Sequence, residues 1–360
     1  MQITTSLSAN PTPDARLAEI LSNPGFGVHF SDHMFTVEWT PEKGWYDARI
    51  TPYGPITLDP AAAVLHYAQE TFEGMKAYRH DDDTLWLFRP EANAERMVRS
   101  SHRLALPVLE VADFVQAVEE LVKVDARFVP DNRGSGGEKS LYIRPFMFAS
   151  ESFLGVRPAQ HVTFMVIASP AGAYFKGGVK PVTLWLTEEY TRAGRGGMGA
   201  AKTGGNYASS LVAQQEATAA GCDQVVFLDA QEGTYVEELG GMNMYFVFDD
   251  GSIVTPETGT ILEGITRASI IELAGKMGHQ VTERKFGIDE WREGVSSGRI
   301  VEIFACGTAA VVTPVGSLKW DGGEAPAPAS TDLTMRIRQA LVDVQFGRAD
   351  DTFGWMHQIR

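Results

Sequence analysis

The sequence predicts a mixed α/β (α+β) protein of two domains with a cleft between them. A length of 360 residues fits about two domains. With 44% hydrophobic residues, there is enough apolar material for substantial cores. Strand-like and helix-like segments form two blocks on either side of the Pro/Gly-rich stretch 169–178. We therefore expect a small N-terminal α/β domain over 1–172, an interdomain loop over 173–182 and a large C-terminal domain over 183–360.

The first block begins with a polar lead-in followed by strand-like stretches between residues 26 and 58. Asp59 and Pro60 suit the cap and the first position of a helix. Alternating and three-to-four-residue apolar spacing predicts the other elements. They are a strand at 35–39, a hairpin of 75–78 and 85–88, helices at 91–105 and 111–126, and strands at 141–148 and 162–168.

The second block repeats the mixture of strands and helices. Residues 249–252, Asp-Asp-Gly-Ser, are typical of a hairpin turn between the apolar runs 244–248 and 253–254. The other expected elements are strands at 182–187, 224–228 and 300–305, helices at 206–220, 266–278 and 331–347, and a loop at 320–330.

Charge and cysteine content restrict the class of function. The net charge of −15 argues against nucleic acid and against anionic membrane surfaces as partners. The two cysteines, Cys222 and Cys306, lie far apart and favour a reducing compartment over a disulfide framework. The chain starts without a secretory signal, and no apolar run approaches the roughly 20 residues that span a bilayer. We expect a soluble, cytoplasmic protein that acts on small molecules.

Lys202 is the first candidate for chemistry, because it lies in the glycine-flanked segment 199–207. One interpretation is a solvated loop lysine. The other is an amine that points into a cleft and forms a Schiff base with a carbonyl cofactor. Tyr207, at the start of a predicted helix, either contacts a cofactor ring oxygen or packs locally.

Two segments with small residues could bind anions. Gly264-Ile265-Thr266 leads into a helix, whose first amides and dipole favour phosphate, although Thr266 could instead be an N-cap. Thr308 and Ala309 follow a strand, where accessible amides could bind phosphate or carboxylate, or simply form a packed turn.

The pair Glu237-Glu238 precedes an apolar strand. A carboxylate at a cleft could pair with a protonated ring nitrogen. The alternative is a solvated acidic turn.

Four arginines are candidate anion ligands. Arg96, Arg99 and Arg103 share one face of the helix at 91–105. Arg144 lies in the middle of an apolar strand, where a charge needs a partner. That partner is either a bound anion or an internal salt bridge.

Six motifs together resemble the branched-chain amino acid aminotransferases, which are fold type IV enzymes that use pyridoxal 5′-phosphate (PLP). They occur in the order of that family between about residues 26 and 315. The motifs are FEGMKAY at 72–78, LYIRP at 141–145, YFKGG at 174–178, KTGGNY at 202–207, ELGGMN at 238–243 and GTA at 307–309.

The resemblance implies a role for each matching residue. Lys202 would bind PLP covalently and act as the catalytic group. The other cofactor ligands would be Tyr207 at the ring oxygen, Glu238 at the ring nitrogen, and Arg96, Ile265, Thr266 and Thr308 at the phosphate. The substrate ligands would be Phe26, Phe72, Tyr142, Tyr174 and Gly241 around the side chain, Thr308 and Ala309 at the α-carboxylate, Arg144 at the second carboxylate of glutamate, and Tyr67 in the partner subunit's pocket. Arg99 and Arg103 do not match the motif.

The implied function is PLP-dependent transamination between L-leucine, L-isoleucine or L-valine and 2-oxoglutarate, in branched-chain amino acid biosynthesis or degradation, by a homodimer. The alternatives are a D-amino acid aminotransferase or aminodeoxychorismate lyase of the same fold, or a PLP-binding protein without catalysis. Two departures indicate a bacterial or actinobacterial member. Ala310 and Thr313 stand where mammalian members have a Cys-x-x-Cys pair, and Gly241 stands where some members have threonine.

Overall fold

Two compact units make up the protein in the computed structural model, which describes residues 1–135, 137–172 and 178–360. Among these residues, unit 1 comprises 1–172, 201–204 and 344–360, and unit 2 comprises 178–200 and 205–343. The C-terminal residues 344–360 thus group with the N-terminal unit, whereas the sequence placed them in the C-terminal domain.

The described residues form strands and helices from one end of the chain to the other. The strands are β1 Thr4–Thr5, β2 His33–Thr40, β3 Gly44–Pro52, β4 Glu70–Phe72, β5 Met75–Arg79, β6 Leu85–Phe88, β7 Ser140–Ala149, β8 Val162–Ala171, β9 Val182–Leu186, β10 Gln224–Leu228, β11 Val236–Leu239, β12 Asn243–Phe248, β13 Ile253–Pro256, β14 Val281–Arg284, β15 Ile300–Gly307, β16 Val311–Trp320, β17 Gly323–Ala325 and β18 Met356–Gln358. The helices are α1 Asp14–Ser22, α2 Ala63–Tyr67, α3 Pro90–Arg103, α4 Val111–Val124, α5 Gly204–Ala208, α6 Leu211–Ala219, α7 Ile265–Lys276, α8 Ile288–Ser297 and α9 Asp332–Gln345, with a short 3-10 turn at Ala126–Phe128.

Unit 1 is built on a sheet in the order β1-β3-β2-β8-β7-β5-β6-β18, with β4 paired to β7. Except for the parallel pair β1–β3, its neighbouring strands are antiparallel. The C-terminal strand β18 pairs with β6. This backbone pairing is the reason that the end of the chain belongs to unit 1.

One face of this sheet carries the core of unit 1. Alternate residues of the strands point to this face. Phe35 on β2 and Phe164 on β8 are two of them; both are fully buried, and their rings meet edge to face with 6.2 Å between the centroids. Phe114 of α4 lies 5.9 Å from the Phe164 ring. The amphipathic helix therefore covers the apolar face of the sheet, as its spacing predicts.

Unit 2 has a second sheet in the order β11-β10-β9-β16-β15-β12-β13-β14, with β17 paired to β16. Its core is aromatic: Phe246 of β12 stacks on Phe286 at 3.8 Å and meets Trp291 of α8 edge to face at 5.0 Å. On another part of the sheet, α6 packs Ala213 and Ala217 against β10.

Most predicted elements are present, and four differ. Asp59 accepts the amide of Ala61 at 2.7 Å in a turn, so the helix starts later, at α2, and Asp59 is not its cap. The helix expected at 206–220 is two helices, α5 and α6. The loop expected at 320–330 contains β17, which pairs with β16, and the stretch expected to be a boundary from Ser169 begins inside β8.

Two further properties concern the described part of the chain. Within it, no helix is long and apolar enough to cross a membrane. Nor does that part bring together three or more His, Cys, Asp or Glu side chains in a geometry that suits a metal ion.

Candidate active site

Lys202 is held by its backbone in unit 1. Its N–H donates to Ser100 Oγ at 3.0 Å. Its carbonyl accepts the Phe72 amide at 3.0 Å and the Thr71 hydroxyl at 2.8 Å. The carboxylate of Glu70 accepts the amide of Gly204, two residues further on. The segment is therefore fixed on β4, which contradicts the interpretation of a solvated loop.

The Lys202 amine lies over the face of the Phe72 ring, with 4.7 Å between Nζ and the ring centroid. Burial, the largest cause, and the positive charges of Arg96 and Arg144 together lower the pKa of this amine from 10.5 to about 8, against the opposing effects of Glu73 and Tyr142. A neutral lysine is a nucleophile and a base, so this environment suits chemistry at Nζ.

Arg96 lies on α3 in a buried position. Its Nε and Nη2 donate to the two carboxylate oxygens of Glu73 at 2.8 and 2.7 Å. Arg99 and Arg103, on the same helix, are exposed. Of the three arginines, only Arg96 belongs to the group around the lysine.

Aromatic rings and a second guanidinium complete this group, which we call the lysine pocket: Lys202, Phe72, Glu73, Arg96, Tyr142 and Arg144. Arg144 lies 4.7 Å from the Phe72 centroid and donates to Tyr142 Oη at 2.9 Å. Among the described residues, no carboxylate is within ion-pair distance of Arg144, and its buried Nε has no hydrogen-bond partner. The alternative of an internal salt bridge is thus wrong. Phe26 meets the Tyr142 ring edge to face at 4.9 Å.

In unit 2, Glu238 lies on β11 and is buried, so the alternative of a solvated acidic turn is wrong. Its Oε1 accepts Arg192 Nη1 at 2.7 Å and the Leu262 amide at 3.0 Å, and its Oε2 accepts Asn243 Nδ2 at 3.4 Å. We call Glu238, Arg192, Asn243 and Leu262 the carboxylate cluster. It holds one ionised carboxylate in a fixed orientation.

Glu237, the neighbour of Glu238, has a raised pKa. Burial, the largest cause, and the negative charge of Glu238 together raise the pKa of Glu237 to about 7. Thr260 donates its hydroxyl to Glu237. Glu238 is therefore the member of the pair that has an ionic partner.

The start of α7 is joined to the carboxylate cluster. Asn243 also donates to the Leu262 carbonyl at 3.1 Å, and a Cβ on Gly264 would collide with the Asn243 side chain. The N-cap is Gly264 and not Thr266. The first helical bond runs from Ala268 to Gly264, so the amides of 265–267 have no acceptor within the helix. These amides suit an anion.

Tyr207, Gly241 and the turn after β15 are neighbours in unit 2. A Cβ on Gly241 would lie 3.7 Å from Tyr207 Cε1, and a Cβ on Gly307 would lie 3.4 Å from the Gly241 carbonyl. Thr308 and Ala309 form the turn between β15 and β16. Burial raises the pKa of the preceding Cys306 thiol to about 12, so the thiol stays protonated, and the polar groups of this turn are its backbone amides and the Thr308 hydroxyl.

Two predicted residues stand apart. Tyr67 is 40% exposed and donates its hydroxyl to the Leu154 carbonyl in unit 1. Tyr174 lies outside the described residues.

Sequence reasoning overlooked Glu73, Arg192 and Asn243. Glu73 lies in the quoted motif at 72–78 and Asn243 in the one at 238–243, and their place in these motifs is the signal that could have been used. Arg192 stands alone in Thr191-Arg192-Ala193, and no local pattern marks it.

Comparison with known proteins identifies the family. The model of the family described as amino-transferase class IV matches residues 70–318. The chain therefore belongs to the class IV aminotransferases.

Relatives are similar along their whole length. A Streptomyces coelicolor protein named as a probable branched-chain-amino-acid aminotransferase is 54% identical over 98% of this chain and 97% of its own. The branched-chain-amino-acid aminotransferase of Mycolicibacterium smegmatis is 51% identical over 100% and 98%.

Solved structures share the fold. The T.th. branched-chain amino acid aminotransferase complexed with N-(5′-phosphopyridoxyl)-L-glutamate has a TM-score of 0.73 and 29% identity, covering 90% of this chain and 98% of that chain. The Escherichia coli branched-chain amino acid aminotransferase has a TM-score of 0.71 and 26% identity, covering 91% and 99%. The chain thus has the fold type IV architecture that the sequence predicted.

Proposed function

We propose that the protein is a PLP-dependent transaminase that transfers the amino group of L-leucine, L-isoleucine or L-valine to 2-oxoglutarate, giving branched 2-oxo acids and L-glutamate. The observation that carries the proposal is the Lys202 amine, whose pKa is lowered to about 8 in an environment of rings and guanidinium groups. Relatives that carry the name of this activity are 54% and 51% identical over nearly the full length.

The residues fit PLP by their chemistry. A carbonyl cofactor with a phosphate requires a nucleophilic amine and cationic or amide donors for the phosphate. Lys202 supplies the amine, and Arg96 and the amides at the start of α7 supply donors. When bound, PLP supplies an electron-withdrawing ring that stabilises negative charge at the amino acid Cα.

In unit 1, Lys202 is the residue that would hold the cofactor aldehyde, and its amine would serve as the base for the proton at the amino acid Cα. A base is most effective when its pKa is near the working pH, and a pKa of about 8 places Nζ close to that condition. Arg96 would hold the phosphate, and its guanidinium is oriented by Glu73.

In unit 2, Glu238 would keep the cofactor's ring nitrogen protonated, because a fixed carboxylate favours the protonated ring. Arg192 and Asn243 hold that carboxylate in place. Tyr207 would donate to the ring oxygen. The remaining donors are backbone amides and hydroxyls: Ile265, Thr266 and Thr308 at the phosphate, and Thr308 and Ala309 at the α-carboxylate.

The substrate side chain is recognised by apolar rings. In unit 1, the Phe26 ring contacts the Tyr142 ring, and Phe72 and Tyr142 both lie next to Arg144. Tyr174 and Gly241 are the other residues that we assign to the substrate side chain. Such a surface accepts aliphatic side chains but discriminates weakly between those that differ by one methylene. The unpaired Nε of Arg144 suits the second carboxylate of glutamate.

The proposed enzyme is a cytoplasmic homodimer. Large apolar side chains are exposed at Leu65, Tyr67, Leu154 and Val156, with Val156 at 89%. Covering such side chains is a common reason for association. We assign Tyr67 to the partner subunit's substrate pocket. Both cysteines are free, which agrees with a reducing compartment.

A half-reaction screen tests the function. The purified PLP-loaded protein is mixed with single amino acids, and the absorbance of the lysine-bound cofactor is followed. L-Leucine, L-isoleucine and L-valine should discharge it, and 2-oxoglutarate should restore it. Discharge by D-alanine with no response to L-leucine would support a D-amino acid aminotransferase, and release of pyruvate from aminodeoxychorismate would support the lyase. A yellow protein inert to every amino acid would support a cofactor-binding protein without catalysis.

A further inference from the structure

Glu73 is a charged residue in the interior of unit 1, with 0% of its surface exposed. Its two oxygens accept Arg96 Nε at 2.8 Å and Arg96 Nη2 at 2.7 Å. Asn93 Nδ2 donates to the same carboxylate at 2.8 Å. Burying a carboxylate is costly unless it is paired and hydrogen-bonded, and these contacts meet that condition.

The backbone brings this carboxylate to Lys202. Phe72, the residue before Glu73, donates its amide to the Lys202 carbonyl and places its ring under Nζ. The Glu73 amide donates to the Pro145 carbonyl at 2.7 Å, next to Arg144 on β7. Glu73 is thus fixed from both sides at the point where β4 meets the lysine segment.

Each element packed against the amine contributes a charged or titratable group. Arg96 comes from α3, Glu73 from the β4–β5 connection, and Tyr142 and Arg144 from β7. Two of these groups are permanent cations, and Glu73 is the carboxylate among them. Glu70 is engaged with Thr203 and Gly204 instead.

We propose that Glu73 is a positioning residue of the transamination reaction, which fixes the Arg96 guanidinium and keeps a negative charge beside the Lys202 amine. The inference rests on the proposed function, because it concerns the lysine that binds the cofactor. It assigns to Glu73 a role in the chemistry and not only in the packing of the core.

The electrostatics of the amine support this role. Arg96 lowers the pKa of Lys202 and Glu73 raises it, so the two partners act in opposite directions on one proton. Without the Glu73 carboxylate, burial and the two guanidinium groups would lower the pKa of Lys202 further, because only Tyr142 of the groups named above would still raise it. The protonated form of Lys202 would then be lost at lower pH, and the amine would be a weaker base.

A purely structural role predicts the opposite change. If Glu73 only held the core together, its loss would loosen the pocket and admit water to Lys202. Solvation would move the pKa of the amine back toward its ordinary value of 10.5. The direction of the change in pKa therefore distinguishes the two roles.

The test measures the Lys202 amine in the cofactor-free protein. The apo-protein is mixed with pyridoxal, which lacks the phosphate, at a series of pH values. The adduct is trapped with borohydride and quantified by mass spectrometry of the peptide that contains Lys202. The rate for the unaltered protein should be half-maximal near pH 8. For Glu73→Gln, the midpoint should fall by about one pH unit.

Glu95→Gln is the matched control, because Glu95 is exposed on the same helix next to Arg96. It removes the same charge at the surface and should leave the midpoint unchanged. Since Glu73→Gln removes the carboxylate that pairs with the buried Arg96, this variant could unfold, and Glu73→Gln/Arg96→Gln provides a second route. There both charges are removed, and the midpoint should return toward that of the unaltered protein.

The outcomes separate this inference from the proposed function. No trapped adduct on Lys202 in the unaltered protein would overturn the proposed function. An adduct in the unaltered protein, with a Glu73→Gln midpoint that is unchanged or higher, would overturn the role of Glu73 alone. The role of Glu73 would also be overturned if the pH midpoint of the double variant rose as far as the midpoint of Arg96→Gln alone.

Discussion

Arg192 Nη1 lies 2.7 Å from Glu238 Oε1, and the two side chains are 1% and 2% exposed. The pair joins the segment before α5 to β11, two parts of unit 2 that are more than forty residues apart in the chain. Because water is excluded from both groups, each charge depends on the other.

Arg192→Met should destabilise the protein strongly, because it removes the guanidinium that pairs with the buried Glu238 carboxylate. Breaking one partner of a buried pair costs about 3–5 kcal/mol. Urea unfolding of the apo-protein measures the loss. The double variant Arg192→Met/Glu238→Gln should recover most of it. As a control, Arg133→Met breaks an exposed pair with Asp131 and should leave the urea midpoint nearly unchanged, because solvent screens that pair. Equal effects of Arg192→Met and Arg133→Met would contradict the prediction.

Lys202→Ala should abolish both transamination and covalent attachment of the cofactor, since the variant lacks the only side chain assigned to the aldehyde. Residual turnover is expected to be below one part in about 10⁴, given the contributions of a nucleophile and a base. Borohydride trapping followed by mass spectrometry checks the attachment. Lys123→Ala, which removes a half-exposed lysine on α4, is the control and should behave as the unaltered protein. Substantial turnover by Lys202→Ala would refute the assignment.

The stability of the apo-protein should rise with pH between about 8 and 10.5 because of Lys202. Its pKa is about 8 in the folded protein and 10.5 as its ordinary value. In that range the unfolded chain binds the proton and the folded protein does not, so raising the pH favours the folded state. Below pH 8 both states are protonated and the slope vanishes. Urea unfolding at several pH values, compared with Lys202→Met, isolates this contribution. Identical slopes for the two proteins would show that the folded pKa is not lowered.

Gly241→Thr should fold normally and change the preference among aliphatic substrates. A Cβ at this position would meet Tyr207 Cε1 at 3.7 Å, an ordinary van der Waals contact. The change in kcat/KM between leucine and valine should be within about 10–200-fold, the range for a methylene-sized difference. Gly264→Ala is the contrasting variant, because its Cβ would collide with Asn243 and displace the start of α7. Competition assays measure the preference, and a misfolded Gly241→Thr would count against the geometry.

Much of the fold followed from the sequence, and the exceptions have particular causes. The hairpin of β5 and β6 and the strand β10 were predicted because alternation and turn residues are local signals. The strand β11 was not predicted, and a solvated acidic turn was one alternative there, because Glu237 and Glu238 are acidic in sequence. Partners from distant segments, Thr260 for Glu237 and Arg192 for Glu238, make a buried strand possible at this place.

The prediction of a branched-chain aminotransferase of fold type IV is confirmed by the family, the relatives and the shared fold. The individual residue roles stay predictions. The chemical role of each site residue could be assigned from the motifs, whereas the pKa of its side chain could not. The lowered pKa of Lys202, for example, depends on residues from four different segments.

The sequence by itself determined the mixed fold and the family, and it predicted Lys202 as the reactive lysine, because local periodicity and ordered motifs are properties of the chain. Only the tertiary structure decided which charges meet. It pairs Arg96 with Glu73 and Arg192 with Glu238, and it leaves Arg144 Nε without a partner among the described residues. It also pairs the C-terminal strand β18 with β6 in unit 1. Burial and distance set the strength of electrostatic interactions, and both arise when distant segments pack together.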